Sequence, residues 1–180
     1  MTGDPKILTS ALRVCSRCGV VPTRHILAVN IARQTTSLFQ RQSGGYALRK
    51  TFRCSTSNYG IGEVAGSNMT PRGLHHIAKK IGGGWPVVTV FKVRQVIGFT
   101  WQVLPFASIT HRILWLEGLE AGFNRGGEVD SFLRYIYIHG TGNETTLGRP
   151  DSHGCIHLSA NDLLPLYDKL PEGTLVWIAV

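Results

Sequence analysis

The groups able to do chemistry crowd into one part of the chain. His139 is followed by Gly140 and Thr141, and after a loop comes Ser152-His153-Gly154-Cys155-Ile156-His157. A cysteine acts as a nucleophile when a base takes its proton and donors receive the oxyanion its attack creates. Cys155 supplies the sulfur, and His139, closing an apolar run, supplies the base if the loop folds back. Gly154 leaves room beside the sulfur, so substrate and backbone can approach closely. The N–H groups of Gly154 and Cys155 are then candidates to face the oxyanion. No Asp or Glu adjoins His139, so a backbone carbonyl is the expected partner for its second nitrogen. Two other readings stay open on these residues alone. In one, Cys155 is a small buried residue, as free cysteines often are. In the other, His139, His153, Cys155 and His157 ligate zinc, because residues 153, 155 and 157 of a strand would share one face.

These side chains need a scaffold, and the pattern reads as mostly β. Residues 26–31 are a short apolar run, and 36–39 follow a four-residue turn, as in a hairpin. A third strand is expected over 46–55. Residues 56–73 are rich in Gly, Ser, Asn and Thr and read as a long loop ending in Thr70-Pro71-Arg72-Gly73, a turn signature. Further strands are expected at 74–78, 87–92, 96–101, 112–117, 134–139 and 174–180. Residues 159–170 give the one clear helix, with Ser159 as N-cap and Leu163, Leu166, Tyr167 and Leu170 as its apolar stripe. Pro165 argues for a short helix starting near Asn161. Residues 1–24 show no clear period and read as a leader. The expectation is one domain over 25–180, a β-sandwich or open barrel with one or two short helices.

Composition narrows the function classes. The chain has 180 residues, 43% of them hydrophobic and 17% charged, which is not a disordered composition. No apolar run is long enough to span a membrane. The net charge is +8, favouring an anionic partner. Its basic residues are scattered, however, and no nucleic-acid motif is present. Cys15 and Cys18 form a C-x-x-C with no second ligand pair, a weak metal signal. No secretory signal is visible after Met1.

The segments RYIYIHGT at 134–141 and SHGCI at 152–156 resemble the catalytic domain of L,D-transpeptidases, the YkuD-type cysteine enzymes of peptidoglycan cross-linking. ILAVNIARQ at 26–34, Thr70-Pro71-x-Gly73, ILWLEGLEAGFN at 113–124 and Gly173-Thr174-Leu175-Val176 extend the likeness over about 25–180. The resemblance implies that Cys155 forms a thioester with a stem tetrapeptide, releasing D-alanine. The acyl group then passes to an amine, giving a 3→3 cross-link or exchange of a D-amino acid; with water as acceptor the enzyme is an L,D-carboxypeptidase. It implies His139 as base, oriented by the carbonyl of Gly140. It implies that His153, Gly154 and Cys155 frame the oxyanion site through their backbone, with Ser152 holding the loop and Tyr137 near. It implies no metal and no cofactor, and donor and acceptor stem peptides as partners of a monomer, in the periplasm or cell wall. A non-catalytic peptidoglycan-binding module and a zinc-binding module are the competing classes. One departure stands out: the family places Arg where this chain has His157. A group titrating near neutrality there makes the substrate contact pH-dependent, and an arginine is expected to raise activity at neutral pH.

Overall fold

Strand β1 (His25–Asn30) is buried at every position, so both of its faces must be covered. The computed structural model, which describes residues 5–102, 104 and 109–180, shows how. In chain order the elements are α1 (Pro5–Arg17), β1, β2 (Thr35–Gln42), β3 (Gly45–Arg53), β4 (Gly73–Ile81), β5 (Thr89–Lys92), β6 (Gln95–Phe99), β7 (Ile109–Gly118), β8 (Tyr137–Gly140), β9 (Ile156–Leu158), α2 (Ala160–Lys169) and β10 (Leu175–Ala179). They form one open mixed sheet in the order β3-β2-β1-β10-β4-β7-β5-β6, with β8 and β9 branching from β7. β1 with β10 and β8 with β9 are parallel; the other pairs are antiparallel.

Because side chains alternate along a strand, β1 feeds two cores. Leu27 and Val29 join Ile138, Ile156, Leu158, Leu163 and Leu166, so β8, β9 and α2 cover that face. Ile26 and Ala28 join Ile7, Val14, Cys15, Leu74 and Leu175, so α1 covers the other.

The mostly-β reading and most of its strands are found, but three details differ. Residues 5–17 of the supposed leader are a helix, whose buried Ile7, Ala11, Val14 and Cys15 recur at i, i+4, i+7 and i+8. The leader's first four residues lie outside the described ones. The strand expected from residue 134 begins at Tyr137, because Tyr135 turns the chain with a left-handed φ of 57°. And α2 runs through Pro165. Proline there removes one intrahelical hydrogen bond, which burial of Leu163, Leu166 and Tyr167 offsets.

The start of α2 rests on Ser159, whose Oγ accepts from the Asp162 amide at 3.2 Å and donates to the Asp162 carboxylate at 2.8 Å. Ser159→Ala is expected to lower unfolding free energy by about 1 kcal/mol. Urea denaturation checks this, and an unchanged midpoint with an unchanged slope contradicts it.

Candidate active site

The site is built on β8 and β9. Their parallel register pairs Ile138 with Ile156 and His139 with His157. One step earlier, Cys155 lies beside Tyr137. Alternation therefore sets Tyr137, His139, Cys155 and His157 on the same side of these two strands. The rings confirm it: Tyr137 and His139 centroids are 6.4 Å apart, and His139 and His157 centroids 4.6 Å. Cys155 is partly buried against the cluster of Phe91, Ile113, Trp115 and Tyr137. Its Sγ lies 3.5 Å from the Tyr135 carbonyl.

His139 is buried, and its Nδ1 lies 2.8 Å from the Gly140 carbonyl. A carbonyl only accepts, so Nδ1 carries the hydrogen and Nε2 is the basic nitrogen. Burial, reinforced by neighbouring His157, pushes the His139 pKa down to about 3, although the Gly140 bond opposes this. Burial pushes the Cys155 thiol up to about 11, opposed by the Tyr137 backbone and the Arg134 guanidinium. The resting pair is thus a neutral thiol and a neutral imidazole. An imidazole in that state can accept a proton at Nε2. A side chain on Gly140 would meet Thr110 backbone O at 2.7 Å and Thr110 Oγ1 at 2.8 Å, so glycine alone fits there.

The cysteine loop is held from several directions. Ser152 Oγ donates to the Cys155 carbonyl at 2.6 Å and accepts from the Gly154 amide at 3.3 Å. Of the two amides expected at the oxyanion, Gly154's is therefore already engaged by the serine. Gly154 has φ 114°, a conformation side chains rarely adopt, and Met69 O would stand 3.3 Å from any Cβ there. His153 is exposed and stacks obliquely on Tyr59 at 5.4 Å. Residues 153–155 are bends rather than strand, so His153 does not continue the face that Cys155 and His157 share. Among the described residues no three His, Cys, Asp or Glu side chains converge on a metal position.

Two contributors were not assigned roles from sequence. Thr70 Oγ1 accepts from the Ser57 amide at 2.9 Å and donates to the Gly154 carbonyl at 3.1 Å, joining the long loop to the cysteine loop. Its turn signature was legible, but not its reach across the chain. Arg134 donates to the carbonyls of Gly62, Glu63 and Met69 and to Ser67 Oγ, pinning the same loop beside Cys155. His157 also behaves unlike a surface histidine. Burial lowers its pKa to about 4, outweighing the pull of Asp151. It is therefore neutral near pH 7, and the pH dependence expected of it near neutrality loses its basis.

A family model described as the L,D-transpeptidase catalytic domain, YkuD, matches residues 24–178. The chain belongs to the L,D-transpeptidase catalytic-domain family. Among solved structures, Bd1075 of Bdellovibrio bacteriovorus matches with TM-score 0.58 and 15% identity, over 87% of this chain and 48% of that one. An L,D-transpeptidase from Mycobacterium smegmatis matches with TM-score 0.51 and 18% identity, over 87% and 59%. L,D-transpeptidase 3 from Mycobacterium tuberculosis, solved with a faropenem-derived adduct, matches with TM-score 0.53 and 14% identity, over 87% and 60%. At these identities the likeness is one of fold, and this YkuD domain spans about half to three-fifths of those chains. No curated protein sequence matches it.

The buried imidazoles give the domain a defined acid sensitivity. His75, His139 and His157 have pKa values near 4, 3 and 4 when folded, against an ordinary 6.5. Below about pH 6.5 the unfolded chain takes up protons that the folded one excludes, so stability falls as the pH drops toward 4. Carboxylates with lowered pKa, such as Glu63 and Asp130, lose their contribution only below their ordinary values of 4.5 and 3.8. The urea midpoint is therefore expected to fall between about pH 7.5 and 5, a window that isolates the histidines. An equal midpoint at both values contradicts the neutral burial.

Proposed function

We propose that this domain is a cysteine acyltransferase acting on peptidoglycan stem tetrapeptides. The observation that supports it most is His139, a buried neutral imidazole whose Nδ1–H is held by Gly140, leaving Nε2 as its base beside the cysteine strand. Cys155 Sγ attacks the carbonyl of the stem's third residue while its proton passes to His139 Nε2. The tetrahedral oxyanion is met by backbone donors of the cysteine loop, Cys155's own amide foremost. Collapse breaks the C–N bond. His139 returns the proton to the leaving amine, D-alanine departs, and a thioester remains on Cys155. An acceptor amine then attacks the thioester carbonyl, giving its proton to His139. The C–S bond breaks, the sulfur regains a proton, and a new amide joins two stems. Water in place of the amine gives the L,D-carboxypeptidase outcome.

The substrate class fits the charge balance. Stem peptides are rich in carboxylates, and the chain carries a net +8. That polymer lies outside the cytoplasmic membrane, so the site of action is the periplasm or cell wall.

Mass spectrometry of intact protein and products tests the reading. Wild type with a disaccharide-tetrapeptide is expected to show an acyl-enzyme and loss of D-alanine, with exchange when an excess D-amino acid is added. Cys155→Ala abolishes both, and His139→Gln lowers the rate about 10²–10⁴-fold. Hydrolysis without exchange marks a carboxypeptidase. No acyl-enzyme on a folded wild type overturns the reading in favour of a binding module.

A further inference from the structure

The positive charge of this chain is unevenly placed. Residues 5–62 hold nine of the nineteen lysines and arginines and no aspartate or glutamate. The rest of the chain holds ten such cations against eleven acids, so it is close to neutral. The acid-free stretch forms α1 and the strands β1, β2 and β3, and β3 is a free edge of the sheet. Cations scattered in sequence are thus gathered by the fold toward one end of the sheet. Two of them meet acids from elsewhere in the chain, Arg17 with Glu120 and Lys50 with Asp162. Arg33, Arg49 and Arg53 meet none among the described residues.

A cavity of about 400 Å³ opens between two of these three. Arg33, on the turn from β1 to β2, and Arg53, at the end of β3, line it together with Thr35, Thr51, Leu147 and Gly148. Register sets Thr35 opposite Arg53, and alternation puts Thr51 on the same face as Arg53. The turn beneath is firmly held. The Arg33 amide donates to Asn30 Oδ1 at 2.8 Å. Buried Gln34, at a left-handed φ of 51°, donates through Nε2 to the Ile31 carbonyl at 2.6 Å and to Thr56 Oγ1 at 2.7 Å. The opposite wall is the connection from β8 to β9, whose Gly148 amide donates to the Cys54 carbonyl at 2.9 Å. Arg53 lies along that wall, its Cδ 3.8 Å from where a Cβ on Gly148 would stand.

Two guanidiniums without acids, and two hydroxyls beside them, offer more donors and more charge than one carboxylate takes up. A phosphate takes up both, because its oxygens accept from several directions and arginine binds it through paired N–H bonds. Arg49 extends the cationic line along β3, which suits phosphates linked in a chain. Among the described residues none of the exposed large apolar side chains falls within 22–58. The face therefore has nothing to insert into lipid or to stack on a base.

We infer that the cavity between Arg33 and Arg53 binds a phosphate of a linear phosphodiester polymer without bases, whose neighbouring units run along β3 past Arg49. The site stands apart from Cys155 and does not depend on the acyl-transfer reading. Because one wall belongs to the connection that ends at Cys155, the bound polymer also holds that loop from its outer side.

Titration calorimetry with an oligomer of glycerol phosphate tests the site. Arg33→Gln and Arg53→Gln are each expected to weaken binding about 10-fold, and Arg53→Lys to recover part of the loss. Lys92→Gln, which removes the same charge at the opposite end of the sheet, leaves the affinity at the wild-type value, and so does Cys155→Ala. Raising salt from about 50 mM to 500 mM weakens binding, since the attraction is screened. In wild type, inorganic phosphate is expected to shift the amide NMR signals of Thr35, Thr51 and Gly148, a readout that needs no variant to fold. Shifts confined to other residues overturn the inference. Equal affinity in wild type and both Arg→Gln variants overturns it, as does an equal loss in Lys92→Gln. Binding at least as tight to anionic lipid vesicles, to single-stranded DNA or to polyglutamate overturns it in favour of a membrane, a nucleic acid or a carboxylate polymer.

Discussion

Everything at the site depends on the parallel pairing of β8 with β9. Parallel neighbours need a long crossover, usually a helix. Here the crossover is the loop of residues 141–155, and its last residue carries the Cys155 sulfur. A loop in that place has few backbone partners of its own, so the rest of the molecule supplies them. Ser55 exchanges both backbone bonds with His157, flanking β9 on the side away from β8. The Thr56 carbonyl accepts from the amides of Asp151 and Ser152, and the Cys54 carbonyl from Gly148. Thr70 and Arg134 then tie the 60–70 loop down over the same place. The sulfur is positioned by a net of backbone bonds drawn from distant segments, not by a rigid element of its own.

The same pairing creates the electrostatic state of the site. It places His139 and His157 side by side, where burial favours neutrality in both and His157 adds to the effect on His139. A neutral base next to a neutral thiol stores no ion pair. On the proposed acyl-transfer reading, charge develops only as the sulfur attacks. The cost is stability in acid, because the unfolded chain would rather protonate these rings. Gly140 serves both sides of this balance. Its carbonyl fixes the tautomer of His139, and its lack of a side chain lets β8 lie against Thr110 of β7.

The sheet that carries this pair needs a cover on each face, and the two covers come from opposite ends of the chain. α2 follows β9 directly and closes the core beneath the site. α1 closes the far face, against β1, β4 and β10. With both faces occupied, β1 and β10 form the dry centre of the sheet, and the site is left at the margin where β8 and β9 branch away.

Sequence alone carried what is local. Strand alternation, the Ser159 cap, the stripe of α2 and the spacing of His139 to Cys155 are short-range patterns, and each appears in the fold at nearly its expected place. The resemblance of the two motifs named the family for the same reason, since its signature residues lie in two short runs. The α1 stripe was also written in the sequence, but Thr9, Ser10 and Arg13 on its outer side blurred the period. What sequence left out is what depends on non-local contact. No spacing rule places Thr70 on Gly154 or Arg134 across residues 62–69, because those bonds join segments that only the sheet brings together. Nor does the identity of His157 fix its charge: a histidine in water titrates near 6.5, and only its enclosure between β8 and Ser55 pushes it to about 4. Residue types decided which chemistry was available, and burial, which is a property of the whole fold, decided the protonation states in which that chemistry starts.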